Sequence, residues 1–356
     1  MEQVKYKFSD LDQIKKASDR LREERDERLK NKEHMGFGVP FLDDVFRGIY
    51  KNDLIVVGSK TGYGKTQLVT RIAMDNAVSG KKITFFALEA DQYEIERRIK
   101  YQHIADIFWK MPPQDRPKIY LDYANWYYGK FAGVIDPIEV EVEEFYKDSY
   151  YGNLNTFYRT HDFGLEQFEK LFHGVKNETD LVIVDHLHYF DSDDENENRG
   201  TKKIVKGLRD LALSTGVPII LVSHVRKGDR KIKQLVPHYE DLHGSSDIAK
   251  IATKIVTLGR GPEDFESEDK YKHPTLMWAN KFRLDGSVGK YGALCAFDAR
   301  LNQYGPDYYL GTLDWHAEKF TPLENLNHHP HWAKRAKLGS LSQEKPVDRD
   351  WFQDRD

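Results

Sequence analysis

The residues best equipped for chemistry lie between positions 59 and 66. There Ser59-Lys60-Thr61-Gly62-Tyr63-Gly64-Lys65-Thr66 follows the apolar run Leu54–Val57 and opens an amphipathic, helix-like stretch. The spacing is that of a phosphate-binding loop, G-x-x-x-x-G-K-[ST], with Ser59 in the first glycine position and Gly58 just before it. Gly62 and Gly64 let backbone N–H groups curl around phosphate oxygens at the positive end of the following helix. Lys65 has the reach for the β- and γ-phosphates, and the Thr66 hydroxyl suits Mg2+. The implied ligands are ATP and Mg2+. Two carboxylates belong with this loop. Asp185 closes the apolar run Val182-Ile183-Val184, the usual place for an acid that holds Mg2+. Glu89 closes Phe85-Phe86-Ala87-Leu88, where it is placed to orient and deprotonate a water attacking the γ-phosphate.

These side chains need a parallel sheet to bring them together. The runs DLIVVG, KITFFALE, DLVIVD and PIILVSH are short and nearly all apolar, and helical patterns separate them. This is the signature of strands buried on both faces, with ligands bound at their carboxyl ends. KIVTLGR, TLMWANKF and ALCAFD read as further strands, expected to be antiparallel. The predicted fold class is α/β, a P-loop core with a mostly parallel central sheet flanked by helices and antiparallel C-terminal strands.

Composition narrows the choices. At 356 residues the length prior is about two domains, yet the motifs fill one. The expected organisation is a charged helical arm at 1–35, a motor domain at 36–320, and a partly disordered tail at 321–356. Nineteen of the first 35 residues are charged, too many for the arm to bury much surface. Fifteen aromatics fall between residues 101 and 160, beside the acidic run EVEVEEF. That favours an inserted packing or interface element, at about 101–151, over a nucleic-acid platform. One cysteine, Cys295, excludes a disulfide scaffold. No run approaches the ~20 apolar residues of a membrane span and the N-terminus is no signal peptide, so a cytoplasmic location in a bacterial or phage-infected cell is expected. With a net charge of −4, any nucleic-acid surface must be a local patch.

Taken in order, the blocks GVPFLDDVFRGIYKNDLIVVGSKTGYGKT, FFALEADQYEIERR, LVIVDHLHYF, VPIILVSHVRKG and NKFRLDGSVGK resemble the DnaB-type replicative helicases of the RecA-like superfamily. The resemblance covers roughly residues 36–300 and is nearer the phage-type members. It implies that Lys65, Thr66 and Asp185 form the nucleotide and Mg2+ set, with Glu89 as catalytic base. It makes His224, after PIILVS, the γ-phosphate sensor, and it places His188 where many relatives have Gln. Lys281 and Arg283 match the family's K-x-R pair, which reaches the nucleotide of a neighbouring protomer. Two residues apart on a strand, they are expected to face the same way. The primase or collar domain of relatives is not found ahead of the motor.

The resemblance further implies a homo-oligomeric, hexameric ring around single-stranded DNA. The run RKGDRKIK supplies Arg226, Lys227, Arg230, Lys231 and Lys233 for such a channel. His243, Gly244 and Ser245 form a second DNA loop, with His243 where relatives often carry Arg. A primase, polymerase or loader would meet the arm, the insertion, or the tail with its Trp351-Phe352 pair. The expected function is ATP-dependent translocation and duplex unwinding in replication. The alternatives are a recombination ATPase, or a nucleotide-gated assembly or phage-defence ATPase that does not unwind.

Overall fold

The computed structural model describes residues 16–338 apart from 31–34, 148–149, 192–196, 226–234, 243–244, 263–264, 266–268, 270, 287 and 315–318. The chain divides into two compact units, Met1–Met35 and Gly36–Asp356. In the first, helix α1 (Ala17–Lys30) is exposed from Ala17 through Asp26, with Leu21 in solvent. No helix among the described residues is long and apolar enough to cross a membrane.

The second unit is organised by one sheet. Branched and aromatic residues make β1 (Leu54–Ser59), β2 (Ile83–Ala87) and β4 (Leu181–Asp185), whose residues are all buried, and β5 (Ile219–His224), buried up to its last residue. With β3 (Leu154–Tyr158) and β6 (Lys254–Arg260) they form a parallel half in the order β6-β1-β5-β4-β2-β3. Beyond β6 the sheet continues antiparallel through β7 (Lys272–Phe282), β8 (Gly292–Asp298), β9 (Gln303–Asp314) and β10 (Lys319–Pro322), and the short β11 (Ala336–Lys337) pairs with β9. KIVTLGR, expected to be antiparallel, is β6 and runs parallel to β1 with Ile55 beside Lys254. Its chain enters through helix α9 (Ser245–Ile251), the crossover a parallel neighbour requires. The boundary expected at 320 falls inside β10. Residues after it stay on the domain: Trp332 is buried against Phe41, and Arg335 pairs with Asp44 at 2.8 Å.

The other helices are α2 (Pro40–Phe46), α3 (Lys65–Val78), α4 (Glu94–Lys110), α5 (Tyr123–Tyr127), α6 (Asp136–Tyr146), α7 (Leu165–Val175) and α8 (Glu197–Thr215). One core cluster joins Val56, Phe86 and Val184 of the sheet to Phe168 and Phe172 of α7 and Leu208 of α8. A second belongs to the aromatic-rich stretch, where Tyr101, Ile104 and Phe108 of α4 pack with Leu121, Ile138 and Val142. Trp126 donates its indole N–H to Glu139 at 2.7 Å, across α5 and α6. The aromatics there form a core of their own, built on α4.

At the amino ends of the parallel strands Lys254 is buried against Asp53, whose other oxygen accepts from Thr253 at 2.7 Å. Buried charges persist when paired and hydrogen-bonded in this way.

Candidate nucleotide site

Strand register assembles the site. Ser59 lies beside His224 and Ala87 beside Asp185, so the carboxyl ends of β1, β5, β2 and β4 converge. Leu88 N–H donates to the Asp185 carbonyl at 2.6 Å, which carries the chain on to Glu89. The loop between β1 and α3 turns on Gly62 and Gly64, both left-handed (φ 84° and 82°), where side chains are strained. A Cβ on Gly64 would also stand 3.1 Å from the Tyr304 hydroxyl. Gly58, one residue before the loop, is pressed under Leu242: a Cβ there would meet Leu242 Cδ2 at 2.2 Å.

Lys65, the first residue of α3, is buried, and its ammonium donates to the carbonyls of Ser59 (3.2 Å) and Lys60 (3.1 Å). Burial pushes it down to about 8, against the opposing pull of Asp185 and Glu89. Asp185 is pushed up to about 7, chiefly by burial, while Thr66 and Lys65 beside it favour its ionised form. Its buried Oδ1 accepts no hydrogen bond among the described residues, although His186 Nε2 stands 3.1 Å away. A hydroxyl and a carboxylate with a spare oxygen are the hard donors Mg2+ takes, and the glycine-lined loop has open backbone at Gly62. The residues present fit both ligands.

Glu89 is partly exposed, and its Oε2 lies 2.7 Å from His186 Nε2. Burial, with Glu89 close by, raises the Tyr189 phenol. His186 stacks on His224 with centroids 4.2 Å apart and an interplanar angle of 9°, and His188 sits 5.3 Å from His224. Burial keeps the His224 imidazole low, at about 4, with Lys65 adding to the effect. Neither His186 nor Tyr189 was singled out in the sequence, where the visible cue is the His-x-His alternation after Asp185.

The remaining expected residues fall elsewhere. Lys281 and Arg283 do not join this site within the chain. Arg283 N–H donates to the carbonyl of Thr253, which pairs with Leu54 at the start of β1, whereas the loop follows the other end of that strand. β7 ends at Phe282, so Arg283 lies one residue past the strand that carries Lys281. Lys281 turns back to the carbonyls of Ala249 (2.5 Å) and Ala252 (2.7 Å), while Arg283 is exposed. Arg283 and Arg209 nonetheless stand close enough to lower the Lys281 ammonium, after burial. Arg226, Lys227, Arg230, Lys231, Lys233, His243, Gly244 and the Trp351-Phe352 tail lie outside the described residues; Ser245 begins α9.

The strand order, the glycine loop opening a helix, and the Lys65, Thr66 and Asp185 set define a P-loop nucleotide-binding domain of the RecA-like class. The chain belongs to the AAA domain family, whose model matches residues 33–230, and residues 161–304 match the model of the DnaB-like helicase C terminal domain. A curated relative, the replicative DNA helicase DnaB of Leifsonia xyli subsp. xyli, is 24% identical over 244 residues, or 66% of this chain and 49% of the relative. The chain thus spans about half the length of that relative. Among solved structures, the ATPase domain of G40P superposes with a TM-score of 0.67 at 17% identity, covering 82% of this chain and 98% of that one. A DnaB-like replicative helicase, described with its interactions with primase, gives 0.64 at 16% identity, covering 82% and 67%. Both show the fold.

Proposed function

We propose that the chain is the motor of a replicative DNA helicase. Copies in a ring hydrolyse ATP at their interfaces, and the cycle drives them along single-stranded DNA and parts the duplex. The observation that carries the reading is the convergence of Lys65, Thr66, Asp185, Glu89 and His224 at the carboxyl ends of the parallel strands, with Lys281 and Arg283 toward their amino ends.

The loop N–H groups around Gly62 and Gly64, with Lys65, bind and orient the phosphates. Buried Lys65 gives up carbonyl contacts for phosphate oxygens, whose charge keeps it protonated. Thr66 and Asp185 would hold Mg2+, which when bound withdraws charge from the β- and γ-phosphates. Glu89 accepts the proton of the attacking water, and a neutral His224 donates an N–H to the terminal phosphate. Arg283 of a neighbouring copy completes the charge stabilisation, worth roughly 10³–10⁵ in rate in other nucleotide hydrolases. Basic residues 226–233 and the segment 243–245 would grip DNA phosphates without reading sequence. The likeness to a helicase described with primase supports a primase as partner for the arm, the insertion or the tail.

The test uses the full chain with ATP, Mg2+ and a forked duplex. Strand separation and hydrolysis stimulated by single-stranded DNA are expected, both lost in Lys65→Ala. ATP binding without DNA stimulation or unwinding would overturn the proposal.

A further inference from the structure

His186 lies at the centre of the site, yet no role in the cycle above falls to it. Its side chain is 3% exposed beside a Glu89 that is 39% exposed, and its Nε2 stands 2.7 Å from Glu89 Oε2 and 3.1 Å from Asp185 Oδ1. A carboxylate accepts, so the imidazole N–H donates. The ring itself has little freedom. It follows the last residue of β4 and lies flat on His224. Glu89 is the opposite case: a half-solvated, three-torsion side chain two residues past the end of β2. Left alone it would sample several rotamers, few of them aimed at an attacking water.

We infer that His186 is the positioning residue for the base: its Nε2–H fixes the Glu89 carboxylate, and its stack on His224 ties that carboxylate to the ring that meets the terminal phosphate. The inference rests on the function proposed above and deepens it. The same nitrogen stands 3.1 Å from Asp185 Oδ1, between the carboxylate that serves the metal and the one that serves water.

Glu89, His186 and His224 also offer ligand atoms within 4.8 Å of one another, which raises the possibility of a metal centre. The geometry argues for the hydrogen bond. Two ligands of one tetrahedral zinc stand roughly 3.3 Å apart, whereas the N···O distance here is 2.7 Å. Imidazole lone pairs lie in the ring planes, and planes stacked 4.2 Å apart at 9° do not converge on one ion.

The test is steady-state ATP hydrolysis by the full chain, with nucleotide affinity read separately from a fluorescent ATP analogue. His186→Ala should lower kcat by ~10–100-fold, the loss that misplacing a reacting group by about 1 Å brings, and leave affinity within about twofold. His186→Gln, which keeps an N–H donor, should recover several-fold of that loss. His186→Phe, which keeps the stacked ring without the donor, should not, and it guards against simple misfolding. Adding His186→Ala to Glu89→Gln should cost nothing further. Wild-type kcat in both His186→Ala and His186→Phe, with Glu89→Gln inactive, overturns this inference alone. An active Glu89→Gln removes the base and this inference with it. Affinity falling in step with kcat, or stoichiometric Zn2+ binding that His186→Ala abolishes, would also overturn it.

Discussion

A mixing experiment tests whether two chains share each site. Thr253, whose carbonyl receives the Arg283 N–H, pairs with Leu54, and Ser59 lies five residues further along β1. At roughly 3.3 Å per residue the loop begins about 16 Å up the strand from Arg283, and the side chain departs from the far end. On the function proposed above, a chain therefore does not complete its own site. Glu89→Gln subunits keep an intact Arg283, and Arg283→Ala subunits keep an intact Glu89. Each parent alone should hydrolyse ATP at no more than about a thousandth of the wild-type rate. Mixed in equal amounts and allowed to exchange, they join an intact Glu89 to an intact Arg283 at about one interface in four, since head-to-tail contacts use two different faces. Hydrolysis should then rise to about a quarter of wild type if sites fire independently. The assay is phosphate release against mixing ratio, with mixed assemblies verified by native mass spectrometry. Activity that stays at the average of the parents in verified mixed assemblies refutes the reasoning, as does a wild-type rate in Arg283→Ala alone.

Gly58→Ala should destabilise the domain by about 1–3 kcal/mol in denaturant titrations, because its Cβ would press on Leu242. Joined to Leu242→Ala it should cost at least about 1 kcal/mol less than the sum of the two single changes; strict additivity would rule out the contact as the cause. Asp43, pushed up to about 6 chiefly by burial, binds its proton more tightly in the folded chain than the ordinary 3.8 allows. Stability should therefore rise as pH falls from about 6 toward 4, and the ionised form should cost about 1–2 kcal/mol at neutral pH after solvent screening. Unfolding midpoints at pH 5 and 7.5 should differ for the wild type and flatten in Asp43→Asn.

What the sequence reveals follows burial. β1, β2, β4 and β5 are buried on both faces and read as unbroken apolar runs, and the loop and both carboxylates sit at their ends. β3 is an edge strand, half-exposed with Asn155 and Thr156 inside it, and so resembles a loop. β9 is hidden by Gly305-Pro306, which occupy the irregularity opposite Ala296, a place where proline is tolerated. His186 and Tyr189 acquire their partner only when Ala87 registers beside Asp185, a long-range pairing that local pattern does not carry.

Helix α4 links the site to the aromatic-rich stretch. Arg98, on its first turns, acts on Asp185, and Tyr101, Ile104 and Phe108 further along floor the aromatic cluster. Next to Tyr101, Gln102 is anchored to the Asn302 carbonyl at 2.9 Å, across to the antiparallel half of the sheet. Excising residues 111–150 would bare Tyr101, Ile104 and Phe108, all at 0% exposure. The stretch is thus no passenger that a lineage can shed in one deletion. A descendant that lost it would have to rewrite the motor's own helix in the same step.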